Sequence, residues 1–177
     1  MTDSVELLLD PVAQNAVLED WKALEDTGLP NSSRHASWSN SPHITLAAAA
    51  RIDAEHDAGL AAAAQALPIA LATAGLLVFP TRNKFVLARQ VVCSPAMMEL
   101  HRRIWAVLAV AHPVPTTMAG QWTPHLTLAR GLTAEELARA AAAISRRELP
   151  PLHAVAARRW DSVGKAVVLL APRADPA

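Results

Sequence analysis

One hexapeptide pattern occurs twice: Pro42-His43-Ile44-Thr45-Leu46-Ala47 and Pro124-His125-Leu126-Thr127-Leu128-Ala129. Each copy is a run of apolar and β-branched residues, which predicts a strand. Residues i and i+2 of a strand share a face. His43 therefore projects with Thr45 and His125 with Thr127, while Ile44, Leu46, Leu126 and Leu128 turn into a core. A chain that builds this strand once in each half is constrained to fold as two related units. Two imidazoles on one cleft suit a general base and a general acid, and two hydroxyls beside them suit an oxyanion.

The duplication extends well beyond the motif. Asp10-Pro11 and Ser94-Pro95 each read as an N-cap with proline in the first helical position. Trp21 and Trp105 follow at the same spacing. Apolar residues then recur at helical intervals, at Val17, Trp21 and Leu24 in one copy and Met97, Leu100, Ile104 and Leu108 in the other. Each helix follows an apolar strand, 5–9 and 85–92. A second helix comes after each His strand. Its stripe is Leu60, Ala63, Ala64 and Leu67, then Leu137, Ala140, Ala141 and Ile144. Thr133 with Glu136 forms a capping box, and Pro68 and Pro150-Pro151 stop the two helices. Each unit closes with a strand pair, 69–79 with 84–92 and 152–163 with 165–170. The expected architecture is α+β in one domain, 1–177, with repeat units at about 5–92 and 85–172. It has two lobes related by a pseudo-twofold. Each is a mainly antiparallel sheet with helices on its outer side, and the cleft lies between them.

A chain of 177 residues is long enough for a substantial core. Its formal net charge of zero gives no broad electrostatic footprint for long nucleic acid, leaving a small ligand or a nucleic-acid end. The basic spots are Arg82/Lys84/Arg89, Arg102/Arg103, Arg130 and Arg158/Arg159, and most of them read as solvated faces. The single cysteine, Cys93, excludes an internal disulfide and reads as a buried apolar residue beside Val91 and Val92. The first residues lack a basic n-region, so a signal peptide is not expected. The uncharged stretch 59–80 is interrupted by Gln65 and Pro68 and reads as a buried helix followed by a buried strand rather than a membrane span. A soluble, cytoplasmic monomer with no obligate protein partner is expected.

Zinc needs three or four ligands, and His35, His56, His101, His112 and His153 have no repeat-related partners. They read as surface or core histidines, and no metal or cofactor is expected. The aromatic set is small: five Trp, two Phe and no Tyr. Trp21 and Trp105 fall on helical stripes and belong to the core. Trp38 and Trp122 precede the motifs, and regular strand alternation turns Trp122 away from the cleft. Phe79, Phe85 and Trp160 lie on the closing strands. Among these last five are candidates for a base-stacking platform.

Paired His-x-Thr-hydrophobic motifs, one in each half of a duplicated chain, resemble the 2H phosphoesterase superfamily. Within it the chain resembles the bacterial 2′-5′ RNA ligase, or RNA 2′,3′-cyclic phosphodiesterase, branch, over nearly its whole length. The resemblance implies catalytic roles for His43 and His125, one activating the nucleophile and the other protonating the leaving oxygen. It implies phosphate binding by Thr45 and Thr127. Arg130 matches a basic residue of some bacterial members more loosely, with Ala48 at the equivalent place in the first half. It implies no metal or cofactor, and a nucleotide or RNA end as substrate, whose 2′,3′-cyclic phosphate opens to a 2′-phosphate. The alternatives are a non-catalytic nucleotide-binding module of the same fold and a cyclic phosphodiesterase acting on a non-RNA metabolite.

Overall fold

The computed structural model describes residues 2–34, 40–108 and 112–171. His35, Trp38 and the tail from Arg173 lie outside them. The first strand, β1 (Asp3–Leu9), is buried along almost its entire length. It leads directly into α1 (Pro11–Asp26), whose first turn is capped by the Asp10 carboxylate accepting from the Ala13 N–H at 2.8 Å. The first His strand, β2 (His43–Ala49), is followed by α2 (Asp57–Ala63), β3 (Ile69–Leu71), β4 (Thr73–Pro80) and β5 (Phe85–Val91). The second unit runs through α3 (Pro95–Val107), opened by the Ser94 hydroxyl, and the second His strand β6 (His125–Leu132). It then continues through α4 (Ala134–Ile144), with the Thr133/Glu136 capping box formed, into β7 (Leu152–Asp161) and β8 (Ala166–Ala171).

The strands form two antiparallel sheets. One has the order β2-β1-β7, with β3 and β8 both pairing with β7; the other has the order β6-β5-β4. The two trios correspond, and they correspond in register. Thr45 faces Glu6 and His43 faces Leu8 in one sheet, as Thr127 faces Ala88 and His125 faces Gln90 in the other. Both His strands carry a register shift at the same place, between the partners of Val5/Glu6 and of Leu87/Ala88. Such bulges bend a strand and re-aim its side chains.

The first helix of each unit crosses to the other unit's His strand. α1 packs on β6 and α4, and α3 packs on β2 and α2. The crossing is fixed by hydrogen bonds: the Trp21 indole N–H donates to the Thr127 carbonyl at 3.0 Å. The Trp105 N–H lies 2.8 Å from the Thr117 carbonyl oxygen and 3.3 Å from that of Leu46. A buried pair strengthens the first crossing. Asp20, fully buried on α1, accepts from Arg89 of β5 at 2.6 Å and from Arg147 beyond α4 at 2.9 Å.

Four expectations need correction. The segment 69–79 is not one strand: it breaks at Ala72, so that β3 joins one sheet and β4 the other. Nor is β4 buried, because it is the edge strand of a three-stranded sheet, and Val78 is 45% exposed. Arg89, Arg158 and Arg159 do not form solvated faces; each is buried against a carboxylate, Asp20, Glu6 or Asp57 respectively. Cys93 is exposed, since it sits in the turn between β5 and α3 rather than in the strand. Among the described residues no helix is long and apolar enough to cross a membrane.

If the indole bonds hold the crossed helices, Trp21→Phe leaves the Thr127 carbonyl without its donor and costs about 1–3 kcal/mol. The urea midpoint should fall accordingly with an unchanged m-value; an unchanged midpoint would show that the bond contributes nothing.

Candidate active cleft

His43 and His125 are the first residues of β2 and β6. Both are half-buried, as are Thr45 and Thr127, while Ile44, Leu46, Leu126 and Leu128 are inaccessible, so the alternation follows the sequence pattern. Each imidazole is oriented in the same way. His43 Nδ1 is 2.8 Å from the Ser41 carbonyl oxygen, and His125 Nδ1 is 2.8 Å from that of Thr123. A carbonyl accepts only, so both Nδ1 atoms carry hydrogen and both Nε2 atoms are left for the cleft.

The cleft has two compartments. The larger, about 430 Å³, is lined by Thr45, Phe79, Trp122, His125 and Arg130, among others. The smaller, about 70 Å³, is lined by His43, Thr127, Arg130, Trp21, Ser32 and Asn40. Each histidine thus shares a compartment with the threonine of the opposite motif. Arg130 lines both, and its Nη2 approaches the Thr127 hydroxyl at 3.4 Å. All five residues singled out from the sequence, His43, Thr45, His125, Thr127 and Arg130, therefore line one cleft.

Trp122 departs from the expected placement. It precedes β6 rather than belonging to it, so strand alternation does not govern it. Its ring lies against the larger compartment and its N–H donates to the Thr45 carbonyl at 2.9 Å. Its other face stacks on the buried His101, with ring centroids 4.1 Å apart. Across the compartment Phe79 packs on the His125 ring at 4.7 Å. The apolar walls are therefore Phe79 and Trp122, two of the five aromatics left open by the sequence.

The electrostatics are not symmetric. Glu6, on β1 opposite Thr45, is only 6% exposed, and its Oε1 lies 3.6 Å from His43 Nε2. Arg158 donates to its other oxygen at 2.7 Å, and the Ser4 hydroxyl donates to Oε1 at 2.7 Å. Burial pushes the Glu6 carboxyl up, but the charges of His43 and Arg158 and the hydrogen bonds it accepts from Ser4 and Arg158 outweigh it, holding Glu6 below its ordinary value. The corresponding position on β5 is Ala88. Burial holds His125 below the ordinary histidine value against the opposing Thr123 carbonyl, and the positive charges of Arg130 and His43 push the same way. Sequence reasoning missed Glu6; the signal was an acidic residue within an otherwise apolar strand. Among the described residues no three His, Cys, Asp or Glu side chains are grouped so as to hold a metal ion.

The sequence model of the 2′-5′ RNA ligase superfamily matches residues 9–160, most of the chain. The chain belongs to the 2′-5′ RNA ligase superfamily. Its fold is also similar to solved structures of Usb1 from Kluyveromyces marxianus. One of these, at TM-score 0.55 and 14% identity, covers 96% of this chain and 97% of that one. Another, of Usb1 with uridine monophosphate, gives a TM-score of 0.54 at 14% identity over the same shares. None of the curated sequences compared matches the chain. For this superfamily member, then, the sequence match establishes the family, and the distant structures establish the fold.

The electrostatic asymmetry is measurable. His125 should titrate in the folded protein below the histidine reference of about 6.5. Arg130→Gln should raise that midpoint only in part, because burial is the larger cause. Histidine side-chain NMR across pH reads both, and a His125 midpoint at or above the reference would contradict the assignment.

Proposed function

We propose that the cleft hydrolyses the 2′,3′-cyclic phosphate of a nucleotide or RNA end to a 2′-phosphate. The observation that carries this reading is the matched pair of imidazoles lining one cleft, each with Nδ1 fixed on a carbonyl so that Nε2 is the nitrogen left for proton transfer. One Nε2 takes a proton from water as its oxygen attacks phosphorus. The other gives a proton to the ribose 3′-oxygen as the P–O3′ bond breaks. Thr45, Thr127 and Arg130 supply donors and positive charge to the phosphoryl oxygens. The larger compartment, walled by Phe79 and Trp122, offers apolar surfaces suited to a base. Membership of the superfamily and the nucleotide bound to the structurally similar Usb1 support a nucleotide or RNA end as ligand.

The proton transfers and charge stabilisation come from protein groups, so turnover of 2′,3′-cyclic mononucleotides should persist in EDTA. His43→Ala and His125→Ala should each lower the rate by about 10²–10⁴. The double variant should be little worse than either, because the two groups act as a unit. Circular dichroism checks that the variants fold. Activity lost in chelator and restored by a divalent ion would contradict the mechanism. Binding of nucleotide without turnover would favour the non-catalytic reading.

The pH profile of turnover should be bell-shaped, with two limbs that belong to the histidine pair. A rate climbing steadily into the alkaline range would point to hydroxide as the nucleophile and leave the histidines as phosphate binders.

A further inference from the structure

Among the described residues, one buried side-chain oxygen or nitrogen has no hydrogen-bond partner, and it is the Ser32 hydroxyl. Ser32 is 7% exposed and lines the smaller compartment of the cleft with His43, Thr127 and Arg130. Its own carbonyl is in use, accepting from the Asn40 side-chain amide at 2.8 Å. Leaving a buried hydroxyl unpaired destabilises a fold, so a chain that keeps one there calls for a reason.

The other half shows the same feature in a structural role. A short turn precedes each His strand, Ser32–Arg34 before β2 and Pro115–Thr117 before β6, and each packs on the opposite unit's His strand. In the second turn the Thr117 hydroxyl is fully used. It accepts from the Ala48 N–H at 3.2 Å and donates to the Val114 carbonyl at 2.8 Å. In the first turn the facing strand carries Arg130 where β2 carries Ala48, and Ser32 and Arg130 both border the compartment. Among the described residues Arg130 has no carboxylate partner; its Nη2 approaches the Thr127 hydroxyl at 3.4 Å. That hydroxyl keeps its own proton to donate. Two hydroxyls and a guanidinium around one small space complement an anionic oxygen. At about 70 Å³ the compartment has the volume of about two waters, room for phosphoryl oxygens but not for a sugar or a base.

We infer that Ser32 is a phosphate-binding residue, its hydroxyl donating to a non-bridging phosphoryl oxygen beside Thr127 and Arg130. The inference deepens the hydrolytic reading and takes from it only the phosphate-bearing ligand. One χ1 step swings the hydroxyl from its packed position toward the compartment that the residue lines. Ser32 comes from outside both His-x-Thr motifs, and its counterpart Thr117 is tied to backbone, so this donor serves one end of the cleft alone.

Binding and structural roles of Ser32 move different quantities. Ser32→Ala removes a hydroxyl that the free fold does not use, so the urea midpoint should hold or rise. Thr117→Val strands the Ala48 N–H and should lower it. Affinity of Ser32→Ala for inorganic phosphate and for the four nucleoside 2′-phosphates, titrated by calorimetry or NMR, should fall about 10- to 100-fold, the scale of a lost hydrogen bond to a charged group. Its kcat/KM on 2′,3′-cyclic nucleotides should fall by a similar factor. If the wild-type protein binds these ligands but turns over no cyclic phosphate, the hydrolase reading falls while the titrations still decide the role of Ser32. Affinity unchanged in Ser32→Ala for every ligand would overturn the inference. So would a lowered midpoint in that variant, or a wild-type protein that binds none of the ligands.

Discussion

The cleft exists because two edge strands face each other without pairing. β2 and β6 come close without a ladder between them: each ladders with the strand on its inner side, and Ala49 at the end of β2 bridges to Pro113. Edge strands with free carbonyls invite a ladder, and a ladder between these two would close the cleft. Indole N–H groups occupy key carbonyls instead: Thr127 is held by Trp21, Thr45 by Trp122, and Leu46 shares Trp105 with Thr117. Trp21 and Trp105 sit on helices that cross from the opposite half, so the spacing of the His strands depends on both halves being folded together. The buried Asp20 with Arg89 and Arg147 reinforces one of these crossings.

The same symmetry that makes the site would also make its two ends interchangeable, were it complete. It is broken at two places on otherwise corresponding strands. Glu6 has Ala88 as its counterpart, and Arg130 has Ala48. One end therefore has a buried carboxylate beside its imidazole and the other has none, with Arg130 lining both. The compartments differ too, one roomy and walled by Phe79 and Trp122, the other small and polar. A substrate binding across the pair meets unlike groups at its two sides, as an in-line displacement with separate acid and base requires.

Much of this was legible in the sequence because it is local. The caps at Asp10, Ser94 and Thr133 form as their residue types dictate, and the alternation that places His43 with Thr45 and His125 with Thr127 survives in both strands. The long-range pairings were not legible. Nothing in the run 69–79 tells that its first residues pair with β7 and the rest with β5. Arginines 89, 158 and 159 look like surface residues until Asp20, Glu6 and Asp57 are brought to them by the fold. Alternation misplaces Trp122 because that residue precedes β6, where the backbone has not yet entered the strand. Glu6 was visible only as a charge out of place in an apolar run.

The most direct test of the account is a crystal structure of the protein with a nucleoside 2′-phosphate, the product of the proposed reaction. The account predicts the phosphate between His43 and His125, within hydrogen-bond reach of both Nε2 atoms and of the Thr45 and Thr127 hydroxyls, with the base against Phe79 or Trp122. A phosphate bound outside the cleft, or held by one histidine with the other turned away, would contradict it.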